Sequence, residues 1–134
     1  MQFDGSKILV TGASGGIGSQ IVRRFRAAGA KVAVADLNVD ALEGDAYLPG
    51  DLMHADYADA LPAAAAKALG GLDVLVNNAG VITRGSVVET ADVDWKLSVG
   101  VNVEAPFRIS RAAIPIMAGS DGGAIVNIAS CWGL

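Results

Sequence analysis

The 134-residue sequence is poor in cysteine, histidine and aromatic side chains, and it has no excess of positive charge. One cysteine, Cys131, excludes an internal disulfide and fits a reducing compartment. One histidine, His54, lies between Asp51 and Asp56 in a polar stretch with too few convergent ligands to declare a metal site, so no metal is expected. Ten Lys and Arg against 14 Asp and Glu give a net charge of −4, which argues against a nucleic-acid surface or a basic membrane patch. No stretch approaches the roughly 18 uninterrupted apolar residues of a membrane span. The opening "MQFDGSK" lacks the pattern of a secretory signal. A cytoplasmic protein binding neither nucleic acid nor membrane is the expectation.

What is abundant is apolar surface and glycine: 52% hydrophobic residues and 17 glycines, set mostly between apolar runs. That composition is globular α/β, and the length predicts one domain, residues 1–134. Strand-length apolar runs alternate with helix-length segments. "KILVT" and "KVAVAD" read as the first two strands, followed by strands over 46–51, 72–78 and 124–129. Helices are predicted over 15–28, where Ile17, Ile21, Val22 and Phe25 recur at helical spacing, and over 61–69, with Pro62 in the first turn. A long helix is predicted from about 93 to 117, capped by Thr90 or Asp92. The strands are continuously apolar, so both sheet faces should be covered, and strand–helix repetition predicts a doubly wound parallel sheet.

Between the first strand and first helix stands "VTGASGGIG", with Gly12, Gly16 and Gly18 spaced G-x-x-x-G-x-G. Gly12 permits a tight turn, the bare backbone lets N–H groups approach a pyrophosphate at the helix N-terminus, and Gly18 lets the helix lie close on the sheet. An acid, Asp36, ends the next strand. A carboxylate there accepts hydrogen bonds from an adenosine ribose diol and repels a 2′-phosphate. No Arg or Lys stands between Gly12 and Gly18, or at Leu37 or Asn38, so NAD(H) is expected over NADP(H).

These residues resemble the short-chain dehydrogenase/reductase family. The glycine loop has the family's T-G-x-x-x-G-x-G form, "NNAG" at 77–80 matches its second motif, and "IVNIAS" matches the strand that delivers its active-site serine. The resemblance covers the whole chain, in order and spacing. It implies a Rossmann-like sheet of order 3-2-1-4-5 and a hydride transfer between a nicotinamide and a secondary alcohol or ketone. It implies Ser130 as the group that hydrogen-bonds the substrate oxygen and Asn102 as the active-site asparagine. The implied cofactor contacts are Gly12, Ser14, Gly15, Gly16, Ile17 and Gly18 in the loop, and Asp36 and Leu37 at the ribose. Asp51 and Leu52 would meet the adenine, and Asn78, Ala79 and Gly80 the adenosine half. A homotetramer or homodimer, partly through the long helix, is the implied assembly.

Pro106 bears on Asn102 without any resemblance. It has no N–H, so the Asn102 carbonyl loses its helical donor and is free to hold a water, which the family resemblance would make part of a proton relay, or the helix simply kinks there and Asn102 caps the break. Asn127 should hydrogen-bond inside the sheet. Arg108 and Arg111 suit the negative end of the long helix and should be solvated or at a subunit contact. Trp132 reads equally as pocket wall or core.

The family's acid/base pair, Tyr-x-x-x-Lys about a dozen residues past the serine, is not in the sequence. Tyr47 and Tyr57 come too early, and Asp51 and Leu61 stand where the lysine should be. The sequence is therefore expected to be the N-terminal portion of a longer enzyme. Expressed alone, it should expose the outer edge of the fifth strand and aggregate. Two alternatives stand beside the dehydrogenase: a non-catalytic NAD-binding module, if the native chain ends at Leu134, and a nucleotide-sugar epimerase-like member of the same superfamily, which "NNAG" disfavours.

Overall fold

The computed structural model describes residues 2–131. Five strands form one parallel sheet in the order β3-β2-β1-β4-β5: β1 Lys7–Thr11, β2 Lys31–Asp36, β3 Ala46–Pro49, β4 Val74–Asn77 and β5 Ala124–Asn127. Register is set by apolar pairs such as Leu9 opposite Ala33 and Leu75. Helices α1 Gly16–Ala27, α2 Ala55–Leu69, α3 Asp92–Val99 and α4 Ala105–Ala118 connect them, with a π-helical turn, Gly100–Glu104, joining α3 to α4.

The continuous apolar strands bury side chains on both faces. On one, Leu9 and Leu75 pack with Leu61 of α2 and Ile109 and Met117 of α4. On the other, Ile8, Val10, Val32 and Val34 pack against Val22 of α1, beside an edge-on Phe3–Phe25 pair. Coverage fails at β5: Val126 is 44% and Ile128 43% exposed, on the face where no described helix lies over them. Among the described residues β5 pairs only with β4.

Several boundaries differ from the sequence reading. Gly15 is the extended residue ahead of α1 rather than its first residue. β3 stops at Pro49, and the Gly50 N–H makes the last bond of the β2–β3 ladder, to the Asp36 carbonyl at 3.0 Å. β4 and β5 also end earlier than expected, at Asn77 and Asn127. Helix α2 starts at Ala55, so Pro62 sits in its interior, not its first turn. The hydrogen bond lost at Pro62 is offset by burial of Ala58, Leu61 and Ala65 against the sheet. Neither Thr90 nor Asp92 caps α3: Ala91 holds the cap position without a side-chain bond, and the Thr90 hydroxyl donates to the Ser86 carbonyl at 2.8 Å. The long helix is not uniform, since the π-turn divides it.

Candidate functional site: the glycine turn at the strand switch point

In this strand order the connections diverge between β1 and β4, and the crevice at their carboxyl ends is the position where such sheets bind ligands. Thr11, the last residue of β1, is buried there. Its hydroxyl accepts the N–H groups of Asn78 and Ala79, each at 3.1 Å, and donates to the Val76 carbonyl at 3.5 Å. The Asn78 side-chain amide donates to the carbonyls of Thr11 and Gly12, both at 3.1 Å. Two strand ends 66 residues apart in sequence are thus fastened to each other.

That fastening explains two glycines. Gly12 has φ +63°, and a Cβ on it would lie 2.7 Å from the Ala79 Cα. A Cβ on Gly18 would overlap the Gly12 carbonyl oxygen and come within 2.7 Å of the Asn78 amide nitrogen. Gly15 closes the turn with an N–H to the Gly12 carbonyl at 3.2 Å. Gly16 is different, because a Cβ there would meet nothing within 4 Å. Internal packing gives no reason for glycine at 16. Helix α1 starts at this point with no side-chain cap and no acidic residue in its first turn. Its N–H groups and positive dipole end therefore face an open turn beside the exposed Ile17, an arrangement suited to a phosphate anion. The residues present fit a dinucleotide pyrophosphate: a glycine-rich cradle, an uncapped helix start and room above Gly16.

Asp36 ends β2 beside this turn. Its Oδ2 accepts the Ser14 N–H at 2.9 Å and the Ser14 hydroxyl at 2.7 Å, and its Oδ1 accepts the Leu37 N–H at 2.7 Å. The carboxylate is thereby fixed at the mouth of the turn. Asp51 stands past β3, where its Oδ1 accepts the Met53 N–H at 2.9 Å and its carbonyl accepts the His54 N–H at 3.0 Å. Leu52 packs against the core beside it. His54 occupies the position ahead of α2, exposed, its Nε2 4.0 Å from Asp51 Oδ2.

Beyond β4, Asn102 reaches back from the π-turn. Its Oδ1 accepts the Val81 N–H and its Nδ2 donates to the Val81 carbonyl, both at 2.9 Å. This clamp holds the Gly80–Val81 segment, and a Cβ on Gly80 would stand 3.4 Å from the same Oδ1. The Pro106 reading takes a specific form here. Instead of a kink, the helix widens, with the Ala105 N–H bonding the Gly100 carbonyl across five residues.

Asn127 bonds inside the sheet as expected. Its Oδ1 accepts from Asn77 Nδ2 at 2.8 Å, which also donates to the Ser110 hydroxyl at 3.1 Å. The Asn77 Oδ1 is buried with no protein partner among the described residues. The Ile128 N–H to the Asn77 carbonyl, 3.0 Å, carries this pairing one step past β5, and Ser130 follows on the exposed segment. Trp132 lies outside the described residues.

Tyr57 is unsuited to proton transfer. Its hydroxyl donates to the Leu48 carbonyl, and burial, followed by the negative charge of Asp36, pushes its pKa up to about 12. Arg108 and Arg111 are paired rather than simply solvated. Arg108 bonds Glu104 at 2.8 Å and Asp59 at 3.0 Å, Arg111 bonds Asp59 at 3.3 Å, and together they tie α4 to α2. The sequence reading had no role for the Thr11 hydroxyl or the Asn78 side chain. The available signal was one polar residue closing an otherwise apolar strand.

A doubly wound parallel sheet with a glycine-rich turn at its switch point is a dinucleotide-binding fold of the Rossmann type. The family described as short chain dehydrogenase matches residues 6–134, and the chain belongs to it. It is 40% identical over 143 residues to meso-2,3-butanediol dehydrogenase of Serratia marcescens, covering 100% of this chain and 57% of that protein. It is 37% identical over 140 residues to galactitol 2-dehydrogenase (L-tagatose-forming) of Cereibacter sphaeroides, covering 98% of this chain and 55% of that one. A metagenomic short-chain oxidoreductase, solved in complex with NADP, superposes with a TM-score of 0.89 at 34% identity, covering 100% of this chain and 66% of that chain. No helix among the described residues is long and apolar enough to cross a membrane.

Proposed function

We propose that this protein is an oxidoreductase that moves a hydride between NAD(H) and a secondary alcohol or ketone. The observation that carries the cofactor choice is Asp36, held at the mouth of the glycine turn by Ser14 and Leu37 with no Arg or Lys at positions 12–18, 37 or 38. A carboxylate so placed accepts from both ribose hydroxyls and opposes a 2′-phosphate. The pyrophosphate would lie over Gly16 at the start of α1, with Gly12, Gly15, Ile17 and Gly18 shaping the turn. Asp51 and Leu52 would border the adenine, and Asn78, Ala79 and Gly80 the inner side of the adenosine. The bound nicotinamide supplies or accepts the hydride.

This chain contributes two groups toward the reacting centre. Ser130, delivered by β5, would hydrogen-bond the substrate oxygen as charge develops on it. Asn102 would act from the π-turn, its side chain holding Val81 and its carbonyl available to a water that passes protons. The names of the butanediol and galactitol dehydrogenases support a substrate bearing a secondary hydroxyl. A homodimer or homotetramer would cover Val103, Phe107 and Ile114, each more than half exposed along the π-turn and α4.

Titration of NAD(H) and NADP(H) tests the reading. NAD(H) should bind more tightly. Replacing Asp36 by Ala should weaken NAD(H) by about tenfold to a hundredfold, as expected for hydrogen bonds to a charged acceptor, and narrow the preference. Tighter binding of NADP(H) by the unaltered protein would refute the proposal.

A further inference from the structure

The two acidic positions that face the adenosine, Asp36 and Asp51, belong to different elements. Their relative placement depends on the short path from β3 into α2. One side chain meets that path at two points, Leu48 and Gly50. The Tyr57 ring, on the first turns of α2, occupies the space that a Cβ on Gly50 would need. Its hydroxyl donates to the Leu48 carbonyl in β3. Gly50 in turn donates its N–H to the Asp36 carbonyl at 3.0 Å, while the next residue, Asp51, opens the turn that leads to His54. Tyr57 is half-buried beside the core cluster that contains Leu61 and Leu75. It is close enough to Asp36 for that charge to act on it.

We propose that Tyr57 is a positioning residue for the adenosine half of the cofactor: its ring fixes the height of the Gly50–Leu52 turn, and its hydroxyl ties the foot of that turn to α2. The proposal rests on the dinucleotide reading above and adds a residue that touches no cofactor atom itself. With the tie intact, the turn is ordered before the ligand arrives. Without it, binding must order the turn and affinity falls by that entropy. The glycine at 50 and the tyrosine at 57 are then one device, since any side chain at 50 displaces the ring.

The test uses ADP-ribose, which carries the adenosine and the pyrophosphate but no nicotinamide, titrated into the full chain. Tyr57→Phe keeps the ring and removes the tie, and ADP-ribose should bind about fivefold more weakly, the equivalent of one net hydrogen bond. Tyr47→Phe removes a hydroxyl that accepts the Gly44 N–H ahead of β3, at the opposite end of the strand from Gly50, and should leave affinity unchanged. Gly50→Ala should also weaken binding. Its cost should shrink in a Tyr57→Leu background, where no ring opposes the added methyl. A Tyr57→Phe protein that melts lower yet binds ADP-ribose with unaltered affinity has lost only stability and overturns the proposal. Equal cost of Gly50→Ala in both backgrounds overturns it too. Unaltered protein that takes up neither NAD(H) nor ADP-ribose sinks the dinucleotide reading itself, and this proposal with it.

Discussion

Replacing Thr11 by Val is the sharpest test of how the glycine turn is held. The two side chains have nearly the same shape, so packing at the end of β1 is kept and the hydroxyl alone is removed. That hydroxyl is the acceptor for two backbone N–H groups, those of Asn78 and Ala79. A buried donor left without a partner costs about 1–3 kcal/mol. Both residues are half-buried, so water reaches them in part and each cost lies near the bottom of the range, about 1–1.5 kcal/mol, or about 2–3 kcal/mol for the pair. For a cooperative unit of this size, about 1 kcal/mol corresponds to about 4 °C, so the melting temperature should fall by about 8–12 °C. Thr11→Ser keeps the oxygen and removes a methyl, at about 1 kcal/mol. Thermal melts followed by circular dichroism should therefore rank the unaltered protein above Ser and Ser above Val. A Val variant melting within about 2 °C of the unaltered protein would refute the account, as would a Ser variant less stable than Val.

Gly18→Ala places a methyl on the Gly12 carbonyl oxygen and against the Asn78 amide; α1 must move off the sheet, so both melting temperature and NAD(H) affinity should fall, whereas Gly16→Ala should leave the melting temperature unchanged and reduce affinity alone. Asn102→Ala removes both bonds to the Val81 backbone, and amide hydrogen exchange at Val81 should quicken while exchange in β1 is unchanged. Alkaline pH should destabilise the fold through Tyr57. Its pKa is raised from 10.0 to about 12, so the folded state holds the proton more tightly than the unfolded chain. This contribution is fully present below pH 10.0 and is lost as pH rises toward about 12; a melting profile that falls across that window in the unaltered protein should flatten there in Tyr57→Phe.

The sequence was most legible where one local rule decides the outcome. β1 and β2 begin and end where the apolar runs do, because both lie inside the sheet and pair along their whole length. The glycine turn was legible because its spacing demands a bend without side chains. Helix α2 was misread at its start because Pro62 is a strong local stop, while Ala58 and Leu61 ahead of it carry the tertiary contacts that override it. Thr11, Asn78 and Tyr57 were not legible as a set. Thr11 meets Asn78 and Ala79 across 67 and 68 residues, and that proximity exists only once β1 and β4 are neighbours. Arg108 and Arg111 were read against their own helix, whereas their partner, Asp59, belongs to another.

Asn102 shows why the missing N–H of Pro106 matters beyond the local helix. In α4, Ala105, Ile109, Ala113 and Met117 recur every four residues and form the stripe buried against the sheet. In a continuous α-helix, residue 102 would share the face of residue 105 three positions on, and its amide would point toward that apolar contact. The wider turn at Gly100–Glu104 rotates less per residue than an α-helix, which shifts Asn102 around the helix axis relative to Ala105. Ala105 then stays with the core stripe while Asn102, exposed, turns toward the crevice and takes both polar groups of Val81. Proline at 106 favours this state, since the α-helical alternative has no donor there for the Asn102 carbonyl. The same residue therefore helps set the direction of a candidate-site side chain, which ties the role proposed for Asn102 to the packing of the helix that carries it.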